Sequence, residues 1–218
     1  MKCPLGQQTW GGAMKLVKAI VLAGALVAAF AVGGADAKTI RIAAFGDSNT
    51  IAYRLPIEQS YPSNLERLLR AKGHDVVITN GGVNGAKSAD GVRTVDQLVP
   101  ANTDIAIVFF GRNDMRWGVK DHVTRANIDT IVARLRARGI DVLLAGYWAY
   151  DFSAIARERG AAYHPQFFDG VAVNGMKLRQ YTLAFDPLQH LNAEGYKIVA
   201  KRIAPAVEKL VVAVEAGR

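Results

Sequence analysis

Short apolar runs that end in glycine, each followed by a helix-patterned stretch, constrain this chain more than any other feature. Thr39–Phe45 ends at Gly46, Asp75–Thr79 runs into Asn80-Gly81-Gly82, Asp104–Phe110 ends at Gly111, and Ile140–Ala145 ends at Gly146. A weaker fifth run spans Ala161–Phe168. Runs this continuous suit strands covered on both faces, as in parallel sheets. Between them, Tyr61–Lys72 carries Leu65, Leu68 and Leu69 at helical spacing and stops at Gly73. Val92–Val99 is a short helical stretch, and Val123–Arg138 places Ile128, Ile131, Val132 and Leu135 on one face before Gly139. After Asn192, the stripe Tyr196, Val199, Ile203, Val207 and Leu210 predicts a long last helix. Pro205 is expected to kink it. Strand–helix alternation predicts a doubly wound α/β fold. Right-handed crossovers then cover both faces of the sheet with helices. Ligands of such sheets bind beyond the carboxyl ends of the strands, so chemistry is expected at that rim.

Residues ahead of Lys38 read as a targeting signal, not as part of the fold. Met14-Lys15-Leu16-Val17-Lys18 is a positive start, residues 19–32 are apolar, and Ala35-Asp36-Ala37 is a small-residue cleavage site. The apolar run is shorter than the ~20 residues of a comfortable membrane span. The expected organisation is a signal peptide over 1–37 and one folded domain over 38–218. That implies a periplasmic or secreted protein with no stable membrane insertion once the signal is removed. An uncleaved membrane anchor is the rival reading of the same run.

Half of the residues are apolar, which allows a sizeable core. The formal charge is +8, but the basic residues scatter over helical stretches such as Arg134, Arg136 and Arg138. Nucleic-acid surfaces cluster such residues with interleaved aromatics, so no nucleic-acid partner is expected. Cys3 is the single cysteine and precedes the folded region, which excludes a disulfide framework and a cysteine metal site.

Polar clusters follow the first three strands and recur near the C-terminus. They are Gly46-Asp47-Ser48-Asn49-Thr50, Asn80-Gly81-Gly82-Val83-Asn84-Gly85, Gly111-Arg112-Asn113-Asp114 and Asp186-Pro187-Leu188-Gln189-His190-Leu191-Asn192. Acyl transfer needs a hydroxyl, a base beside it, and donors aimed at the developing oxyanion. Ser48 supplies the hydroxyl, and its N–H would lie at a helix N-terminus. Gly85 can bring a second N–H close, having no side chain in the way. Asn113 can add an amide donor. His190 can take the serine proton, and Asp186 can hold the imidazole in the right tautomer. Each residue alone has an ordinary structural reading, Ser48 as an N-cap and Asn113 as a loop former; the four clusters in this order are far more specific.

In that order the clusters resemble the blocks of the SGNH/GDSL hydrolases. Gly46-Asp47-Ser48-Asn49 is similar to the first block, Gly85 to the second, Gly111-Arg112-Asn113-Asp114 to the third, and His190-Leu191-Asn192-Ala193-Glu194-Gly195 to the tail of the last. Glu58-Gln59-Ser60-Tyr61-Pro62 and the segment 137–146 look most like the arylesterase, thioesterase and lysophospholipase branch. The resemblance implies a flavodoxin-like three-layer α/β/α fold with a five-stranded parallel sheet. It further implies Ser48, Gly85 and Asn113 as oxyanion groups and no metal or other cofactor. The expected substrate is a small-molecule ester or thioester. One departure stands out: the family places its aspartate three residues before the histidine, where this chain has Pro187, and Asp186 lies four before. Trp117 is a candidate pocket wall, Trp148, Tyr150 and Phe152 are either pocket lining or packing, and Asp47 and Asp114 are read as loop-fixing groups. Two rival functions remain at this stage: a carbohydrate O-acetylesterase using the same groups, and a non-catalytic binding module that keeps the fold.

Overall fold

The computed structural model describes residues 1–2 and 38–217, and in it the apolar runs become strands of one parallel sheet. The signal peptide expected over 1–37 falls, from residue 3 onward, outside the described residues. The chain begins with β1 (Ile40–Gly46), a short helix α1 (Ser48–Ile51) and α2 (Tyr61–Ala71). Then come β2 (Val76–Gly82), α3 (Ser88–Leu98), β3 (Ile105–Phe109), α4 (Arg112–Arg116) and α5 (Asp121–Ala137). The remainder is β4 (Asp141–Ala145), α6 (Ser153–Glu158), β5 (Ala162–His164), a small hairpin of β6 (Ala172–Val173) and β7 (Met176–Lys177), and α7 (Ala193–Glu215). Strand order in the sheet is β2-β1-β3-β4-β5, with every pairing parallel.

Helices cover both faces, as the alternation requires. α2 and α7 pack together on one side, and α3 packs on α5 on the other. The apolar face expected on α5 is buried as read, with Ile128, Ile131, Val132 and Leu135 inaccessible to solvent. β3 is buried along its whole length, as a central parallel strand should be. Phe109 at its end stacks on Phe167 with ring centroids 3.8 Å apart and an interplanar angle of 8°. Burying one such ring contributes roughly 1.5–3 kcal/mol. Tyr147, Tyr150 and Phe152 belong to the same core, which resolves two of the three aromatics after β4 as packing.

Two expectations need correction. β2 does not stop at Thr79 but continues through Asn80-Gly81-Gly82, paired with Ala44, Phe45 and Gly46. Gly82 is needed there because a Cβ would come within 2.3 Å of the Ile51 backbone nitrogen. The fifth strand is short, since Pro165 directly follows His164 and has no N–H for a ladder. The expected last helix forms as α7, with Pro205 inside it.

The strand order reverses direction between β1 and β3. Chains leaving the carboxyl ends of those two neighbours turn to opposite sides and leave a crevice between them. Ser48 follows β1 and Asn113 follows β3, so the sheet itself brings these two clusters to one place. Among the described residues, no helix is long and apolar enough to cross a membrane.

Candidate active site

Asp47 ends the turn after β1 and caps α1, its Oδ1 accepting the Asn49 N–H at 2.8 Å and the Asn49 side-chain amide at 2.9 Å. This fixes Ser48 as the first residue of α1, with its N–H among the helix-start donors that have no intrahelical acceptor. Burial pushes the Asp47 carboxyl above its usual range, against the pull of the Asn49 bonds and of the Lys177 and Arg112 charges.

The Ser48 hydroxyl lies 2.9 Å from His190 Nε2, and His190 Nδ1 lies 2.7 Å from Asp186 Oδ2. All three residues are buried. Asp186 Oδ2 also accepts the His190 backbone N–H at 2.6 Å, while Oδ1 accepts the Leu188 N–H at 3.2 Å. The extra residue between Asp186 and His190 is therefore absorbed by the loop. Gln189 donates its N–H to the Asp186 carbonyl at 3.0 Å and takes a left-handed backbone, φ +52°. A carboxylate receiving Nδ1–H leaves Nε2 free to accept from the serine, the polarity a general base requires. Burial works to raise the Asp186 pKa, but the His190 and Leu188 bonds outweigh it and hold the carboxyl below its usual range. His190 is pushed below the usual imidazole value by burial, with Asp186 pulling the other way.

Asn113, on α4, donates one amide hydrogen to the Ala86 carbonyl at 2.9 Å. The amide has a second hydrogen, and the residue lines the cavity containing Ser48. Gly85 stands beside Ala86 in an exposed turn closed by the Ala86 N–H on the Val83 carbonyl, with φ +74°. It is absent from the cavity lining. Asp114 ties these two loops together. Its carboxylate accepts the Ser88 N–H at 2.9 Å and the Ser88 hydroxyl at 2.5 Å, anchoring the start of α3 to α4.

The cavity, of about 270 Å³, contains Ser48, His190 and Asn113, together with Arg112, Arg116 and Lys177. Trp117 is 69% exposed and is absent from the lining; its neighbours Met115 and Arg116 occupy the wall instead. Arg112 and Arg116 stand four residues apart on α4 and so share one face of it. Lys177 is not among the candidate residues the sequence offers. It arrives on the β6–β7 hairpin, whose Val173-Asn174-Gly175-Met176 loop is a strong hairpin signal. Among the described residues no cluster of acidic, histidine or cysteine side chains could hold a metal ion.

Residues 44–198 match a family model described as GDSL-like lipase/acylhydrolase. An arylesterase of Vibrio mimicus is 29% identical over 120 residues, covering 55% of this chain and 60% of that protein. Esterase TesA of Pseudomonas aeruginosa is 26% identical over 175 residues, covering 73% of this chain and 86% of its own length. Among solved structures, the SGNH-hydrolase family esterase AlinE4 superposes with a TM-score of 0.61 at 29% identity, over 79% of this chain and 96% of that one.

Proposed function

This chain belongs to the GDSL-like lipase/acylhydrolase family of ester-hydrolysing serine enzymes, and on that premise we propose an exported esterase with Ser48 as nucleophile and His190 as general base. The observation that carries the reading is the unbroken line of contacts from Ser48 Oγ through the His190 ring to Asp186, at 2.9 and 2.7 Å. Both distances suit proton transfer in the ground state.

Ser48 Oγ attacks the acyl carbonyl as its proton passes to Nε2 of His190. The imidazolium that forms faces the Asp186 carboxylate, which offsets its charge in a buried setting. Negative charge on the carbonyl oxygen is met by the Ser48 and Gly85 N–H groups and by the free hydrogen of the Asn113 amide. Each such donor is worth about 10²–10³ in rate. Collapse expels the alcohol or thiol, which takes its proton from His190. A water deprotonated by His190 then attacks the acyl-serine, and the acid leaves. The substrates are carboxylic esters or thioesters of the arylesterase, thioesterase or lysophospholipase type. Export rests on the sequence of residues 1–37, and the mature chain starts near Lys38.

A fluorophosphonate probe tests the nucleophile. The folded wild-type protein labels and Ser48→Ala does not; failure of the wild type to label would favour the binding-module alternative. Aryl esters, acyl thioesters and acetylated glycans, assayed side by side, identify the substrate class, and a clear preference for the glycans would replace the reading with the O-acetylesterase one. Amino-terminal sequencing of the protein recovered from the periplasm or medium tests the cleavage site.

A further inference from the structure

The wall beside the catalytic residues carries more positive charge than catalysis by Ser48 and His190 uses. Arg112, Arg116 and Lys177 line it, with Asp47 the one carboxylate among the lining residues. Asp47 Oδ1 is held by Asn49 and its Oδ2 is buried without a hydrogen-bond partner, yet among the described residues neither Arg112 nor Lys177 forms an ion pair with it or with another carboxylate. Arg112 makes no hydrogen bond among the described residues either. Its guanidinium carbon sits 5.3 Å from the Trp148 ring and 5.9 Å from the Phe168 ring. Lys177 Nζ sits 4.3 Å from the same Phe168 ring and donates to the Gln189 carbonyl at 2.8 Å and to Asn49 Oδ1 at 3.4 Å. An ammonium has three donors, so one is left over.

Lys177 is 7% exposed, and burying an ammonium without a paired anion is unfavourable. Burial and then the charge of Arg112 press it down to about 7, with Asp47 and Asp186 acting the other way. Two cations thus share one aromatic ring in one wall, repel each other, and keep donors free. A bound anion relieves both the repulsion and the missing solvation, through charge-assisted hydrogen bonds.

We propose that Arg112 and Lys177 form a subsite for an anionic group on the substrate, so that this enzyme prefers esters carrying a carboxylate or phosphate to neutral esters of the same shape. The proposal rests on the esterase reading above and specifies its substrate class. Arg112 and Lys177 act here as specificity-determining residues. The anion belongs either to the acyl part or to the leaving group, and the assay separates the two.

Wild-type kcat/KM is measured, after subtraction of spontaneous hydrolysis, on matched pairs. The para-nitrophenyl half-esters of succinic, glutaric and adipic acid are set against para-nitrophenyl butanoate, pentanoate and hexanoate. On the leaving-group side, para-acetoxybenzoate is set against its methyl ester. The expected result is a preference of about tenfold or more for the charged member of at least one pair, the size of one hydrogen bond to a charged group. Which pair responds locates the anion. In Arg112→Gln and in Lys177→Met, the charged-to-neutral ratio falls by a similar factor; Arg112 is only half-buried, so its variant decides the matter if Lys177→Met does not fold. Equal rates or a neutral preference in every pair overturns the subsite and leaves the esterase standing. So does a charged preference that survives in the folded variants. No hydrolysis of any member removes the esterase reading, and the subsite with it.

Discussion

Asp186 grips His190 twice with a single oxygen, accepting the backbone N–H at 2.6 Å and the ring Nδ1 at 2.7 Å. The first bond fixes where the residue sits and the second fixes the orientation of its ring. An asparagine can keep the first by accepting through its oxygen. Its amide hydrogens, however, favour the opposite tautomer of the imidazole, with the proton on Nε2. Asp186→Asn should therefore lower kcat by about 10³–10⁴ with little change in KM, as expected for an orienting carboxylate. Steady-state kinetics on a neutral aryl ester checks this. A loss under tenfold would mean that His190 is oriented by other contacts.

The pH dependence follows from the same residues. Burial holds the His190 pKa below its usual value, and the nearby Lys177 charge adds to that, while Asp186 opposes both. The base form therefore survives to lower pH than an ordinary imidazole would allow. On a neutral ester, the acidic limb of kcat/KM should lie below about 6.5. Removing the Asp186 charge should move that limb further down, and Lys177→Met should move it up. Stability follows the same sign. Asp186 and His190 both have folded pKa values below their unfolded ones. In that window the unfolded chain binds more protons, so stability is full above the unfolded values and is lost as pH falls through the folded ones. His74 and Asp47, whose pKa values are raised, contribute with the opposite sign and cancel when variant and wild type are compared; melting temperature measured downward through about pH 4 should therefore fall less steeply in Asp186→Asn than in the wild type.

Much of this was legible in the sequence, and the exceptions share a cause. The strands and helices of the sheet came from local pattern, because apolar runs and helical stripes report burial directly. Ser48, Asn113 and His190 were legible because the polar clusters that carry them occur together in one order, although each residue alone has an ordinary structural reading. β2 ran past its expected end because pairing with Ala44–Gly46 overrode the turn preference of Asn80-Gly81-Gly82. Asp186 was legible as a candidate, but its reach to His190 depended on a left-handed Gln189 that no spacing rule encodes. Lys177 carried no signal of its own. Its role depends on where a two-residue hairpin loop packs, which is a tertiary fact. Trp117 is not among the residues that line the cavity, although its neighbour Arg116 is.

Asp114 holds the loops that carry Ala86 and Asn113 in register. Its carboxylate is fully buried and accepts from both the backbone and the hydroxyl of Ser88. Asp114→Ala leaves the Ser88 N–H buried without an acceptor and frees the start of α3 from α4. We expect a loss of about 2–4 kcal/mol in urea unfolding, the range for breaking a buried polar network. The kcat of the folded fraction should fall as well, since Asn113 adjoins the lost anchor. Asp114→Asn, which retains one acceptor oxygen, should lose less on both counts. Wild-type-like unfolding of the alanine variant would show that Ser88 finds another partner.

The hairpin that delivers Lys177 can be disturbed without touching any cavity residue. Asn174 and Gly175 occupy its two-residue loop with φ of +49° and +77°, the pattern of a type I′ turn. A Cβ on Gly175 would sit 3.2 Å from Trp148 Cδ1, and a β-branched side chain strongly resists positive φ. Gly175→Val should strain the turn by about 1–3 kcal/mol and loosen the pairing of Ala172 with Lys177. With Lys177 no longer held against Phe168, the charged-to-neutral substrate ratio should fall several-fold. Labelling of Ser48 by a fluorophosphonate should persist, because Ser48, His190 and Asp186 lie on other elements. A ratio unchanged in a protein whose melting temperature has dropped would mean that the hairpin does not set the position of the lysine, and that Arg112 alone accounts for any anionic preference.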